Sequence, residues 1–176
     1  MQTERLKLMP PSMDLQPLML EAIRESKSEL SVYLPWVPYA LTEAESIENT
    51  KQAMSNFKNF EGELRYSIVE KHSDRLIGAI GLIIRDKSIP FFEIGYWLRS
   101  SFVGSGFIVE AVKALENYAF LKLKANRLEI KAAEENLKSR AVAERCGYQF
   151  EGMLRNDRRL PSGELSNTAI YAKTAL

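Results

Sequence analysis

The segment from residue 90 to residue 121 constrains the fold more than any other part of the chain. PFFEIGYWLR alternates in a way that predicts a strand with two distinct faces. One face carries Phe92, Ile94, Tyr96 and Leu98, and the other carries Phe91, Glu93, Gly95 and Trp97. After VGSG, apolar residues at positions 108, 112, 115 and 119 recur at helical spacing, which predicts a helix from near Ser105 to about Leu121. The two glycines therefore lie where a strand passes into a helix N-terminus.

A helix N-terminus beside glycines can bind a phosphate group without basic side chains. It exposes about four unpaired backbone N–H groups and a partial positive charge. A P-loop is excluded because Phe107, Ile108 and Val109 follow the second glycine where that motif needs Lys and Ser or Thr. A Rossmann fingerprint fits badly because Val109 occupies its third glycine position. A plain turn at a helix start remains the alternative on the spacing alone.

The remaining patterns predict strands and helices in mixed order around one sheet. Strands are expected in ERLKL, from Glu63 onward, and in RLIGAIGLIIR, RLEIKAA, YQFEGMLR and LSNTAIYAKT. Helices are expected from Ser12 or Asp14 to Ser26, from a capping box at Thr42 and Glu45 to about Phe60, and in NLKSRAVAERCG. Without an internal repeat or linker, residues 1–176 are expected to form a single α/β (α+β) domain.

The composition excludes several classes of partner. The chain has 24 basic and 23 acidic residues, so no net charge calls for nucleic acid or an anionic membrane. One histidine and one cysteine argue against a metal site, and the lone cysteine with no secretory signal favours a reducing cytoplasm. The most apolar run, LIGAIGLII, is about half the roughly 18 residues that a membrane span needs.

Two longer runs resemble a known family. They are EIGYWLRSSFVGSGFIVEAVKALENYAF and NRLEIKAAEENLKSRAVAERCGYQFEGMLR, together with ERLKL and YLPWVP. The second run holds N-x-x-S followed by G-[FY]-x-x-E-G, at Asn136, Ser139, Gly147, Tyr148, Glu151 and Gly152. This set resembles the GNAT superfamily of N-acetyltransferases, in its RimJ/RimL-like branch that modifies ribosomal proteins. The resemblance implies a mixed, mostly antiparallel sheet of about seven strands with a splayed V between strands 4 and 5, flanked by helices.

The resemblance also implies acetyl-CoA as the acyl donor and assigns residues to it. The family's Q/R-x-x-G-x-G/A signature maps onto residues 101–106, with Ser101 in place of Gln or Arg. Backbone N–H groups would then hold the diphosphate, and the strand before the turn would hold the pantetheine arm. The first set is Val103, Gly104, Ser105, Gly106 and Phe107, and the second is Trp97 and Leu98.

Direct attack by an amine on a thioester needs a base for the amine and a proton for the leaving thiolate. Glu93 is the predicted base, because a carboxylate among Phe, Ile, Tyr and Trp side chains is suited to take up a proton. The alternative for Glu93 is an ion pair with Arg85. Further candidates for the base are Glu134, Glu135 and Glu164.

The acid is harder to assign because the tyrosine of many GNAT enzymes falls here at Ala143. Ser139 is the candidate in its place, with Asn136 contacting the pantetheine, although both could simply cap the helix. Cys146 is expected to be structural, because no histidine lies near it in sequence. His72 is expected to be exposed.

The acceptor pocket is expected to be lined by Tyr33, Trp36 and Tyr39, unless PWVP forms a packed aromatic plug. The sequence thus predicts an acetyl-CoA-dependent N-acetyltransferase that acts on the N-terminal amine of a ribosomal or other protein. Two alternatives stay open: a small amine such as a polyamine, amino acid or antibiotic, and a catalytically silent acyl-CoA-binding module. A homodimer also stays open.

Overall fold

The computed structural model describes residues 1–174 and contains seven strands and five α-helices within that range. The strands are β1 (Leu6–Met9), β2 (Glu63–Glu70), β3 (Leu76–Asp86), β4 (Phe91–Leu98), β5 (Arg127–Ala133), β6 (Gln149–Arg159) and β7 (Leu165–Thr174). The helices are α1 (Gln16–Glu25), α2 (Lys27–Leu30), α3 (Glu43–Asn59), α4 (Phe107–Leu121) and α5 (Leu137–Arg145).

The seven strands form one sheet in the order β1-β2-β3-β4-β5-β7-β6. Neighbouring strands are antiparallel except β4 and β5, which pair in parallel. That parallel pairing joins residues 91–93 of β4 to residues 127–129 of β5 and goes no further. The two strands then diverge, which confirms the predicted fold with its V between strands 4 and 5.

Each face of the sheet packs against its own helices. Alternate residues of β2, β3 and β4 bury Leu64, Leu82 and Ile94 against α4. The opposite face packs Val69 and Ala79 against α1 and the segment after α2. The alternation predicted for β4 is therefore observed, with Phe92 and Ile94 in the α4 core.

Local signals placed most element boundaries correctly. The capping box predicted at Thr42 and Glu45 is present at the start of α3. Helix α4 begins at Phe107, two residues later than expected, and β6 continues to Arg159 instead of ending near Arg155. The proline-rich segment after α2 forms a short 3₁₀ turn at Val37–Tyr39. None of the helices in residues 1–174 has the length and hydropathy to cross a membrane.

Candidate active site where strands β4 and β5 diverge

The glycine turn after β4 presents free backbone donors at the start of α4. Gly104 and Gly106 adopt φ angles of 92° and 78°, which side-chain-bearing residues rarely tolerate. Of the five N–H groups predicted to form a cradle, that of Val103 donates to the Ser100 carbonyl at 3.3 Å. The N–H groups of residues 104–107 donate to no acceptor within residues 1–174. Four donors therefore remain for an anionic group, which fits a diphosphate.

Arg5 fixes this turn from the N-terminal side, a contact that sequence reasoning missed. Its guanidinium donates from Nη1 to the Ser105 carbonyl at 2.9 Å and from Nε to Glu110 at 2.7 Å. The same guanidinium lies over the Phe107 ring, 4.5 Å from its centroid. The ERLKL motif could have signalled this role only through the family, because Arg5 and Glu110 are 105 residues apart.

Arg99 ties the other end of the turn to helix α1. It is 1% exposed, and it donates to the Leu76 carbonyl at 2.8 Å and to Glu21 at 3.0 Å. Arg99 also pairs with Glu25, which accepts a hydrogen bond from Ser101 at 3.0 Å. Burial alone would raise the pKa of Glu25, but hydrogen bonds from Ser101 and Arg99 outweigh it and lower that pKa. Ser101, which departs from the family signature, thus contacts α1.

The end of β4 offers an open backbone edge. From Ile94 to Leu98 this strand has no hydrogen-bonded neighbour on its β5 side, because the parallel pairing stops at Glu93. A Cβ atom on Gly78 would lie 2.3 Å from the Trp97 carbonyl oxygen, so only glycine permits this approach of β3 to β4. Trp97 and Leu98, predicted to hold the pantetheine arm, lie on this edge and are partly exposed.

Ser139 and Asn136 lie at the start of α5, which faces the divergence of the strands. Asn136 caps the helix, with Oδ1 accepting from the Ser139 N–H at 3.1 Å. The Ser139 hydroxyl lies 3.0 Å from the Tyr96 hydroxyl, which also donates to the Ser139 carbonyl at 3.0 Å. Burial raises the pKa of Tyr96, so this phenol stays protonated near neutral pH.

Tyr96 therefore supplies a phenol beside Ser139, although alanine replaces the tyrosine that many GNAT enzymes carry at position 143. The sequence analysis placed Tyr96 on the same face of β4 as Phe92 and Ile94 but assigned it no role in the site. Ala143 itself is fully buried, and it packs in the same core. Only the family resemblance could have indicated Tyr96, because it predicts that β4 separates from β5 near this residue.

A cleft of about 520 Å³ opens on the α1 side of the sheet and passes through the divergence to Asn136 and Ser139. Trp36 packs on Trp97 with ring centroids 6.2 Å apart, and the Tyr33 hydroxyl donates to the Glu135 carbonyl at 3.2 Å. Tyr39 is 72% exposed at the rim. Tyr33, Trp36 and Tyr39, which were predicted to line the acceptor pocket, all line this cleft, and their role in acceptor binding stays a prediction. Val37 is fully buried and forms the packed part of PWVP.

Charged side chains of both signs line this cleft. Glu93 is paired with Arg85 through Oε2, at 2.6 Å from Nη2 and 3.1 Å from Nε, and lies 3.7 Å from Lys131 Nζ. The ion pair considered as the alternative for Glu93 is thus present. The complete set of charged lining residues is Glu63, Arg65, Glu93, Lys131 and Arg158.

The other carboxylates considered as bases lie outside the cleft lining. Glu134 accepts from Asn167 at 2.7 Å, and Glu135 accepts from Ser166 at 2.8 Å. Glu164 is exposed in the β6–β7 turn. Cys146 is buried at the end of α5, and burial raises the pKa of its thiol to about 11. His72 is exposed, as expected.

This arrangement of turn, open strand edge and cleft agrees with the comparisons with known proteins. A family model described as an acetyltransferase (GNAT) domain matches residues 5–149. The chain belongs to the GNAT acetyltransferase family.

Relatives support the RimJ/RimL-like branch. The chain is 34% identical over 155 residues to an uncharacterized N-acetyltransferase, p20 of Bacillus licheniformis, covering 88% of this chain and 84% of that protein. It is 29% identical over 137 residues to the ribosomal-protein-serine acetyltransferase of Escherichia coli K12, covering 77% and 74%. A crystal structure of the microcin C7 self-immunity acetyltransferase MccE with acetyl-CoA and AMP matches with a TM-score of 0.90 at 26% identity, covering 98% of this chain and 94% of that chain.

The predicted family, its branch and an acyltransferase activity are therefore confirmed. At the level of the GNAT family, acetyl-CoA is the acyl donor. The residues predicted to bind coenzyme A and to act in catalysis stay predictions, and they lie together around the divergence of β4 and β5.

Proposed function

We propose that this acetyltransferase modifies the N-terminal amine of a protein, with a ribosomal protein as the first candidate. The observation that carries the proposal is the charge of the cleft. Three basic side chains, Arg65, Lys131 and Arg158, line it with two acidic ones, Glu63 and Glu93. This surplus of positive charge would repel a polyamine, which carries several positive charges, more strongly than a peptide with a single N-terminal amine. The relative named as a ribosomal-protein-serine acetyltransferase supports the same acceptor.

The proposed division of labour follows the geometry. The free N–H groups of residues 104–107 bind the diphosphate, and the open edge of β4 at Trp97 and Leu98 binds the pantetheine arm. The Ser139 hydroxyl gives its proton to the leaving sulfur, and the neighbouring Tyr96 hydroxyl stabilises the oxygen that remains. Asn136 holds the first turn of α5 and thereby the position of Ser139.

The base comes from a carboxylate that lines the cleft. Glu93, predicted from the sequence, is held by Arg85 through Oε2, while its Oε1 accepts no hydrogen bond from the described residues. The second cleft carboxylate is Glu63. The proposed location is the cytoplasm, where ribosomal proteins and acetyl-CoA are both available.

A small acceptor that combines an amine with a phosphate is the second candidate. The structure of MccE, 26% identical to this chain, was determined with AMP as well as acetyl-CoA. In this chain the Trp36 and Trp97 pair offers a surface for a planar base, and the basic lining offers partners for a phosphate.

A thiol-release assay with a matched panel of acceptors tests the proposal. The panel contains a peptide with a free N-terminus, the same peptide with an N-acetyl cap and an internal lysine, spermidine, and an aminoalkyl ester of AMP, which is an adenosine compound with both an amine and a phosphate. The proposal predicts turnover with the uncapped peptide and little with the capped peptide or spermidine. Preference for the adenosine compound would favour the second candidate, and preference for spermidine would contradict both.

A further inference from the structure

Glu63 is a cleft carboxylate with neither a hydrogen bond nor an ion pair among residues 1–174. It begins β2 and is partly buried. By contrast, Glu93 in the same cleft accepts two hydrogen bonds from Arg85 and faces Lys131. Its carboxylate lies in the cleft, partly removed from water and without a partner from the protein, so it can bind a cationic group there.

The backbone beneath Glu63 is shaped to receive its carboxylate. A Cβ atom on Gly81 would lie 2.3 Å from Oε1 of Glu63, so the carboxylate occupies the space above that glycine. Gly81 is paired with Gly95 across β3 and β4. Gly95 lies in the part of β4 that has lost its β5 neighbour, which is the edge proposed to hold the thioester arm. Because Gly81 and Gly95 carry no side chains, the surface of the sheet between Glu63 and that edge is unobstructed.

We propose that Glu63 binds the ammonium group of the incoming acceptor and takes up its proton. This inference rests on the proposed function, because it assigns a role in the same cleft. One N–H proton of the ammonium passes to the Glu63 carboxylate, and the freed lone pair attacks the thioester carbon. The C–N bond forms and the C–S bond breaks, Ser139 protonates the sulfur, and the excess proton on the amide nitrogen returns through water to the Ser139 oxygen. Glu63 then releases its own proton to solvent.

The electrostatic surroundings suit this role. Burial raises the pKa of Glu63, and the nearby Arg65 offsets part of that effect. Arg65 donates a hydrogen bond to the Asn49 carbonyl at 3.2 Å. Its guanidinium lies more than 4.0 Å from the Glu63 carboxylate, so the two residues form no ion pair. Strands β4, β3, β5 and β6 bring further charged groups to the cleft, which are Glu93 with its partner Arg85, Lys131 and Arg158. Helix α3 contributes only the uncharged side chains of Ser46, Asn49 and Thr50.

The test compares kcat/KM between pH 6 and pH 9.5 for the wild-type protein and Glu63→Gln, with the best peptide acceptor. General-base catalysis contributes roughly 10²- to 10⁴-fold, so we expect a loss of about 10²-fold or more at pH 7. Without Glu63 the protein can use only the deprotonated acceptor, which at pH 7 is roughly one-tenth of an N-terminal amine of pKa about 8. About tenfold of the deficit should therefore disappear as pH rises above 8. A structural defect would lower activity equally at every pH.

Two further variants separate this role from damage to the fold. Gly81→Ala keeps the carboxylate but displaces it, because the added methyl would meet the flexible end of Glu63. It should lower activity with the same pH dependence, and Gly81→Ala/Glu63→Gln should be no worse than Glu63→Gln. Glu61→Gln, at an exposed glutamate two residues away, is the matched control and should behave as wild type. Affinity for coenzyme A should be equal in all variants.

Two results would overturn the inference alone. One is wild-type activity in Glu63→Gln, or a deficit that does not change with pH. The other is the pH-dependent loss appearing in Glu93→Gln in place of Glu63→Gln. A wild-type protein that acetylates no amine would overturn the proposed function and this inference together.

Discussion

Replacing Arg99 by Met should destabilise the fold and weaken coenzyme A binding together. Met keeps most of the apolar stem but removes a guanidinium whose side chain is 2% exposed. Loss of the hydrogen bond to the buried Leu76 carbonyl costs about 1–3 kcal/mol. Glu21 and Glu25 are 60% and 38% exposed, so they regain water, and each lost pair costs only about 0.2–1 kcal/mol. The free energy of unfolding should therefore fall by roughly 3 kcal/mol.

Urea denaturation at pH 7 measures this loss, and thermal unfolding should show a fall of about 6–12 °C for a chain of this size. The folded-state pKa of Glu25 lies below its ordinary value of 4.5, so its stabilising contribution is present above pH 4.5. That contribution is lost as pH falls through the folded-state pKa. The difference between wild type and Arg99→Met should therefore narrow in acid.

Arg75→Met is the matched control, because Arg75 pairs with the same Glu25 at 3.4 Å but is 46% exposed. Its loss should cost at most about 1 kcal/mol. In folded Arg99→Met, the dissociation constant for coenzyme A should rise, because the turn after β4 loses its attachment to α1. A change in unfolding free energy below about 0.5 kcal/mol would contradict this role of Arg99, since that is the size expected of an ordinary surface substitution.

Three further predictions address the turn, the acid and the cysteine. Gly104→Glu should abolish coenzyme A binding in a calorimetric titration, because it puts a carboxylate beside the proposed diphosphate site. Gly104→Ala tests the φ of 92° alone and should bind coenzyme A more weakly than wild type but still measurably. Equal binding by Gly104→Glu and wild type would contradict a diphosphate site at this turn. Tyr96→Phe and Ser139→Ala should each lower kcat by about tenfold or more with little change in KM. The double variant should have the same kcat as Ser139→Ala, and additive losses would show that the two hydroxyls act separately. Because burial raises the pKa of the Cys146 thiol to about 11, iodoacetamide at pH 7.5 should alkylate this residue only in urea. Mass spectrometry measures the alkylation, and rapid reaction of the native protein would contradict the prediction.

The sequence was sufficient for the seven strands, for helices α1, α3, α4 and α5, and for the position of the turn, but not for the short helix α2. The change from a two-residue to a helical period at VGSG fixed the β4–turn–α4 unit, and Thr42 with Glu45 fixed the start of α3. These signals are local, since periodicity and capping depend on residues within a few positions of one another. The divergence of β4 and β5 came from the family resemblance, because no pattern within either strand encodes it.

The sequence was not sufficient for contacts that join distant segments. Arg5 with Glu110 and Arg99 with Glu21 are pairs separated by 105 and 78 positions, and alternation alone cannot choose such partners. Glu93 shows the opposite case, because Arg85 lies across a short turn and was named as its possible partner.

Side-chain direction at the divergence was the second unpredicted feature. Tyr96 shares a face with core residues by alternation, but β4 has separated from β5 at that point, so its hydroxyl reaches Ser139. Glu63 was not singled out because it stands at the first position of a strand, where charged residues are common. Its location above Gly81 depends on the register of β2 and β3.

Acetyl transfer to the N-terminal amine of a protein, the proposed function, can be tested by mass spectrometry of a lysine-containing peptide after incubation with the purified protein and acetyl-CoA. A single added acetyl group on the α-amine, with the lysine side chain unmodified and one equivalent of free coenzyme A released, is the predicted result. Acetylation of the lysine side chain, or tight coenzyme A binding without any acetylated peptide or other amine, would contradict it.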